Sequence, residues 1–122
     1  MQEDDVEVVL EDQKRINKFG RLTAKSHVLE GELKEIKEEC ENLDDALAEV
    51  SLLDEESVRY RIGGVFVSVT REDAEERTEK ALEGARERRD TLESELNSIR
   101  DELRELKVTL YQKFGDNINL EE

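Results

Sequence analysis

Two stripes of apolar side chains, each advancing by alternating steps of three and four residues, leave this chain few folds to adopt. The first passes through Phe19, Leu22, Ser26, Leu29, Leu33, Ile36, Cys40, Leu43, Leu47 and Val50. Eight of these ten positions are aliphatic or aromatic, and Cys40 behaves as a small hydrophobe. The second passes through Leu82, Ala85, Arg89, Leu92, Leu96, Ile99, Leu103, Leu106 and Leu110, weak at Ala85 and Arg89 and strong from Leu92 onward. Glu, Lys, Asp and Asn fill the intervals. That period belongs to a helix with one buried side, and two such helices bury their stripes against each other.

The period matters because composition alone is ambiguous. The chain is 43% charged, 35% hydrophobic and 4% aromatic, with no proline or tryptophan, a mix that suits either disorder or long two-faced helices. Regular spacing of the apolar residues decides for helices. The first is expected over about 8–50 and the second over about 71–113, each roughly 65 Å long at ~1.5 Å per residue. Thr70 with Asp73 resembles a capping box, Asp standing in for Glu or Gln, and places the second helix's start near Arg71. Gly20, Gly31 and Gly84 interrupt the helices at about 1 kcal/mol each relative to alanine, which predicts a locally loose coil. The 122 residues are read as a single domain, closed by a tail over 114–122.

The connection carries the most information. After the polar break Asp54-Glu55-Glu56-Ser57, Val58-Arg59-Tyr60-Arg61-Ile62 alternates apolar and basic. Gly63-Gly64 and then Val65-Phe66-Val67-Ser68-Val69 follow, which predicts a β-hairpin over 58–69 with a two-residue turn. Pairing Ile62 with Val65 sets Tyr60 opposite Val67 and Val58 opposite Val69. Those six apolar side chains then share one face, with Arg59, Arg61, Phe66 and Ser68 on the other. A lone ribbon is marginal in water and has two bare edges. Six apolar side chains also need a cover that a coil attached end-on does not readily supply. Oligomerisation through the hairpin is therefore expected from the chain itself.

Catalytic apparatus is not visible. His27, the sole histidine, lies off the stripe and reads as a solvated surface residue. Cys40 lies on the stripe and reads as a core thiol, with no base to activate it. Glu3-Asp4-Asp5 and Asp54-Glu55-Glu56 lack the loop spacing of a calcium site and read as solvated charge runs. Gly63-Gly64 lies between strands, not ahead of a helix, and cradles no phosphate. No cofactor and no metal are expected. A net charge of −15 disfavours nucleic acid and anionic lipid, and no apolar run approaches the ~20 residues of a membrane span. The chain opens without the pattern of a signal peptide, and one cysteine forms no internal disulfide. These features point to the cytoplasm, with the nucleus a second compartment.

The termini are less bland. Val6, Val8, Val9 and Leu10 precede the first helix, Ile16 and Phe19 lie just inside it, and Leu110, Tyr111, Phe114, Ile118 and Leu120 cluster at the other terminus. In an antiparallel pair both groups meet at the coil's open tip. They exceed what a narrow seam buries, so they either present a contact surface or staple the tip shut.

Three segments carry a family resemblance. They are the run from Leu10 to Phe19 (LEDQKRINKF), the hairpin from Tyr60 to Val67 (YRIGGVFV), and the tail from Leu110 to Glu121 (LYQKFGDNINLE). In this order and spacing the chain resembles, over essentially its whole length, the β-class subunits of the eukaryotic co-chaperone prefoldin. The tail is the most specific part, and the short connection fits the β class because α-class subunits carry two hairpins. Gly63-Gly64 departs from the Gly-Asp expected of animal members and leaves the turn intact. The resemblance implies a mainly α, prefoldin-like fold: a long antiparallel two-helix coiled coil joined by a single β-hairpin. It also implies a hexamer of two α-class and four β-class subunits, whose hairpins build paired barrels and whose coils project as arms. By the same resemblance, assembly falls to Val58, Tyr60, Ile62, Val65, Phe66, Val67 and Val69. Client contact at the tip falls to Val9, Ile16, Phe19, Tyr111, Phe114, Ile118 and Leu120. Partners would be unfolded actin and tubulin and the cytosolic chaperonin, with no nucleotide used. Two rivals stand beside it. A coiled-coil tether or scaffold would share the seam without needing the hairpin or apolar tip, and an accessory arm of a nucleic-acid enzyme is opposed by the charge.

Overall fold

A computed structural model describes residues 3–54 and 56–122, with side chains from Val9 onward. The side chains of Val6, Val8 and the Glu3-Asp4-Asp5 run, together with Glu55, lie outside the described residues. Helix α1 spans Glu3–Ser51, strands β1 and β2 span Ser57–Ile62 and Val65–Thr70, and helix α2 spans Arg71–Phe114. A short 3₁₀ turn follows at Gly115–Asn117. This is the expected architecture of two long helices with one antiparallel hairpin between them.

Helix α1 starts at Glu3, ahead of the expected residue 8, and Val9 and Leu10 lie well inside it. Nothing in that segment breaks a helix, and acidic residues at an N-terminus are favoured by the helix dipole. At the other end, the amides of Leu52 and Leu53 bond the carbonyls of Glu49 and Val50, tightening the last turn as the helix stops. Helix α2 begins with half of the anticipated box. The amide of Asp73 donates to Thr70 Oγ1 at 3.1 Å. The Asp73 carboxylate, a methylene shorter than the usual Glu, instead takes Arg77 Nε at 3.0 Å.

The chain divides into two compact units. One comprises residues 1–32 and 92–122. Its core holds Phe19 and Leu29 of α1 and Leu92, Leu96, Ile99, Leu103 and Leu110 of α2, all buried. The helices run antiparallel here, with Glu30 bonded by Arg100 at 3.1 Å and Asp12 by Lys113 at 2.8 Å. Asp12 is buried on the seam and also meets Arg15 at 3.2 Å. Ser26, likewise buried, donates its hydroxyl to the Thr23 carbonyl.

The other unit comprises residues 33–91. Cys40 packs with Leu82 and Ala85, flanked by the half-buried Ile36, Leu43 and Leu47. Thr78 is buried and satisfies its hydroxyl on the Ala74 carbonyl. Arg86 reaches Asp44 across the helices at 2.9 Å. Small and polar seam residues here match the weak start of the second stripe.

Gly20, Gly31 and Gly84 do not interrupt the helices, which run through all three. Each is exposed, and an added Cβ would meet nothing within 4 Å. Alanine at each position is therefore expected to raise stability by roughly 0.5–1 kcal/mol, read as a higher melting temperature with unchanged helicity.

Candidate functional site

The hairpin has the anticipated register, with Val58 opposite Val69, Tyr60 opposite Val67 and Ile62 opposite Val65. Its turn takes a positive φ at Gly63 alone, 62°, as a type II′ turn requires. Only the first glycine needs left-handed backbone, which is why an L-residue at position 64 would leave the turn intact. Arg61 Nε donates to the Gly63 carbonyl at 3.1 Å and braces the turn.

The expectation that all six apolar side chains await a foreign cover needs correction. Val58, Tyr60, Val67 and Val69 are already half-buried within the chain. No linker separates β2 from α2, so the ribbon leaves the helix start directly, and Arg77 of α2 lies over the Tyr60 ring at 6.0 Å. Thr70 caps the helix at Asp73, Asp73 holds Arg77, and Arg77 is held over the Tyr60 ring, a relay from cap to sheet face. Arg71 adds a latch. Its amide donates to the Glu56 carbonyl at 2.8 Å and its guanidinium to the Leu53 carbonyl at 2.7 Å.

What stays exposed lies near the turn and at the helix end. Ile62 is 46% accessible, Val65 and Phe66 63% each, and Leu52 83%. The unpaired surface is thus a short apolar end of the ribbon, on both faces, beside two open strand edges.

The termini form the second candidate region, within the unit of residues 1–32 and 92–122. Gly115, at φ 56°, lets the backbone reverse after α2. Residues 118–122 then return along the helix: the Leu120 amide donates to the Tyr111 hydroxyl at 3.3 Å, and Glu122 approaches Lys107 at 3.5 Å. Leu120 is buried by this fold-back, and Phe19 is buried on the seam. Neither is presented for contact, which corrects their assignment to the tip surface. Ile16, Phe114 and Ile118 are half-buried, while Val9 and Tyr111 are exposed. The tip residues therefore divide into buried, half-buried and exposed members. Leu10 and Val108, also exposed, join the exposed group. The signal for Val108 was available as an aliphatic residue off the heptad register.

Cys40 is a buried free thiol and His27 is exposed. Among the described residues, no His, Cys, Asp and Glu side chains gather to hold a metal, and no helix is long and apolar enough to cross a membrane. The chemistry on offer is apolar contact, strand-edge hydrogen bonding and surface charge.

Comparison with known proteins fits this description. The profile of the prefoldin subunit family matches residues 13–117. Prefoldin subunit 4 of Bos taurus and of Homo sapiens are each 43% identical over 120 residues, covering 97% of this chain and 90% of theirs. Prefoldin subunit 4 of Saccharomyces cerevisiae is 39% identical over 121 residues, covering 98% of this chain and 94% of its own. The solved prefoldin beta subunit from Thermococcus strain KS-1 superposes with a TM-score of 0.77 over 84% of this chain and 91% of that one. At 17% identity it speaks for the fold.

The geometry of the tail makes a direct prediction. Removing most of the Leu120 side chain takes away roughly 2 kcal/mol of apolar burial, enough to release a short terminal segment. Leu120→Ala is expected to speed proteolysis after Gly115 and hydrogen exchange at the residue-120 amide, with helicity unchanged.

Proposed function

The chain belongs to the prefoldin subunit family, and on that premise we propose that it serves in a hexameric, ATP-independent co-chaperone that captures unfolded or nascent proteins. Membership implies assembly with other prefoldin subunits; in this reading the siblings are two α-class and three further β-class chains. Captured actin and tubulin pass to the cytosolic chaperonin, which places the particle in the cytoplasm, with the nucleus as a second compartment.

The observation that carries the capture reading is the exposed apolar group at the termini: Val9, Leu10, Val108 and Tyr111, between 40% and 59% accessible. Such residues hold a non-native apolar segment weakly and without sequence preference. Several coils acting on one client build useful avidity from poor single contacts. Ile16, Phe114 and Ile118 add partly covered surface beside them. The acidic faces keep an apolar-tipped particle soluble.

Assembly, in the same reading, uses the hairpin in two ways. Ile62, Val65 and Phe66 dock directly, being exposed. Val58, Tyr60, Val67 and Val69 are oriented by α2 and complete their burial against neighbouring hairpins, whose strands pair with the bare edges.

Co-expression with sibling subunits should give a native mass near six times the 14.2 kDa chain. That particle should suppress aggregation of diluted, denatured actin without ATP. A monomer or homodimer that leaves aggregation unchanged would favour a tether. Phe66→Asp should block co-assembly while sparing the isolated chain's melting temperature. Val67→Asp should block assembly and also lower that temperature, because it puts a charge on a half-covered apolar face. Val9→Ser with Val108→Ser should spare assembly and weaken suppression at least about twofold, by loss of contacts at each tip.

A further inference from the structure

Thirty-four of the 122 residues are Asp or Glu, so a window of 17 would ordinarily hold about five. Residues 13–29 of α1 hold none, and carry Lys14, Arg15, Lys18, Arg21 and Lys25. Arg15 is half-buried and engaged with Glu11 and Asp12. The other four cations are exposed and, among the described residues, take part in no ion pair. Their spacing, i, i+4, i+7 and i+11, places them within one arc of the helix about 60° wide, and Val28 at i+14 widens it only to about 80°. Val28 is 60% exposed, an aliphatic side chain at the end of a basic stripe.

From this we infer that α1 carries a docking surface for a short acidic segment of a partner polypeptide, an extended run of carboxylates closed by one apolar residue that rests on Val28. Charge and length select that partner. The stripe is about 16 Å long from Lys14 to Lys25, the span of five residues in extended chain. Glu11 bounds it at one end and Glu32 at the other. A long polyanion or a flat anionic surface overshoots the stripe and lies over those acids, on a chain of net charge −15. A five-residue segment stays inside it. No residue of the stripe belongs to the exposed apolar group of the capture reading, and the inference stands or falls independently of that reading.

The test is fluorescence anisotropy of the full chain with a labelled peptide of five glutamates followed by a leucine. The wild type should bind, and raising salt from about 50 to about 300 mM should weaken binding at least about threefold. Lys18→Glu with Arg21→Glu should lower affinity at least about tenfold, and the alanine pair by a lesser amount. Lys34→Glu with Lys80→Glu, which changes net charge equally elsewhere, should shift it less than about twofold. Val28→Ser should weaken the leucine-ended peptide and not a peptide of glutamates alone. Absence of binding, equal loss in both charge-reversal pairs, or equal or tighter binding of an oligouridine or phosphatidylserine vesicles would overturn the inference. Suppression of actin aggregation, measured in parallel on the assembled particle, reports the capture reading separately.

Discussion

Burial along a seam one side chain wide is what everything else in this molecule depends on. The most completely enclosed large side chains, Leu92, Leu96, Leu103 and Leu110, all come from α2, and α1 meets them with a thinner set that includes Phe19 and Leu29. Such a seam has little redundancy, because each residue lost removes a whole layer of contact. It would also tolerate slippage if every layer were equivalent. Asp12 breaks that equivalence: it is buried, paired with Lys113 across the helices and with Arg15 on its own. Fixing register at some expense in stability is the use for which such buried polar groups in coiled coils are best attested. Ser26 and Thr78 do less, since each turns its hydroxyl to its own helix backbone.

The hairpin shows how a weak element is held in place by the helices beside it. Two strands alone would fray, yet here β2 runs into α2 without a spacer and the helix cap, an ion pair and a guanidinium over the ring connect Thr70 to Tyr60. The Arg71 contacts to Leu53 and Glu56 tie the end of α1 to the start of α2 beside the ribbon. Pre-orientation of this kind lowers the entropy that any docking partner would have to remove, and it leaves Ile62, Val65 and Phe66 the most exposed apolar residues of the ribbon.

Periodic features were legible in the sequence, and features set by chain reversal or side-chain reach were not. The seam and the strand register follow from spacings of 3.5 and 2, which admit one solution each. Asp12 is not marked as a seam residue by the pattern because it lies a heptad before Phe19, the first apolar member of the stripe. Phe19 and Leu120 looked available for contact. The first is an ordinary seam position, and the second is buried only because Gly115 turns the tail back, a three-dimensional event that no local period announces. The capping box failed by one methylene, Asp73 being too short to reach back and well placed to take Arg77. The half-cover on the hairpin likewise depended on the absent spacer between β2 and α2. The family resemblance was legible from the tail and the hairpin, but it did not sort the tip into buried and exposed members.

The returning tail also decides where residue 122 lies. Glu122 sits beside Lys107, two turns back from the last residue of α2, instead of continuing the helix axis beyond Phe114. A fluorophore or fusion partner attached there would emerge from the flank of the helix, so distances measured from it would report on the side of the coil and underestimate how far α2 extends.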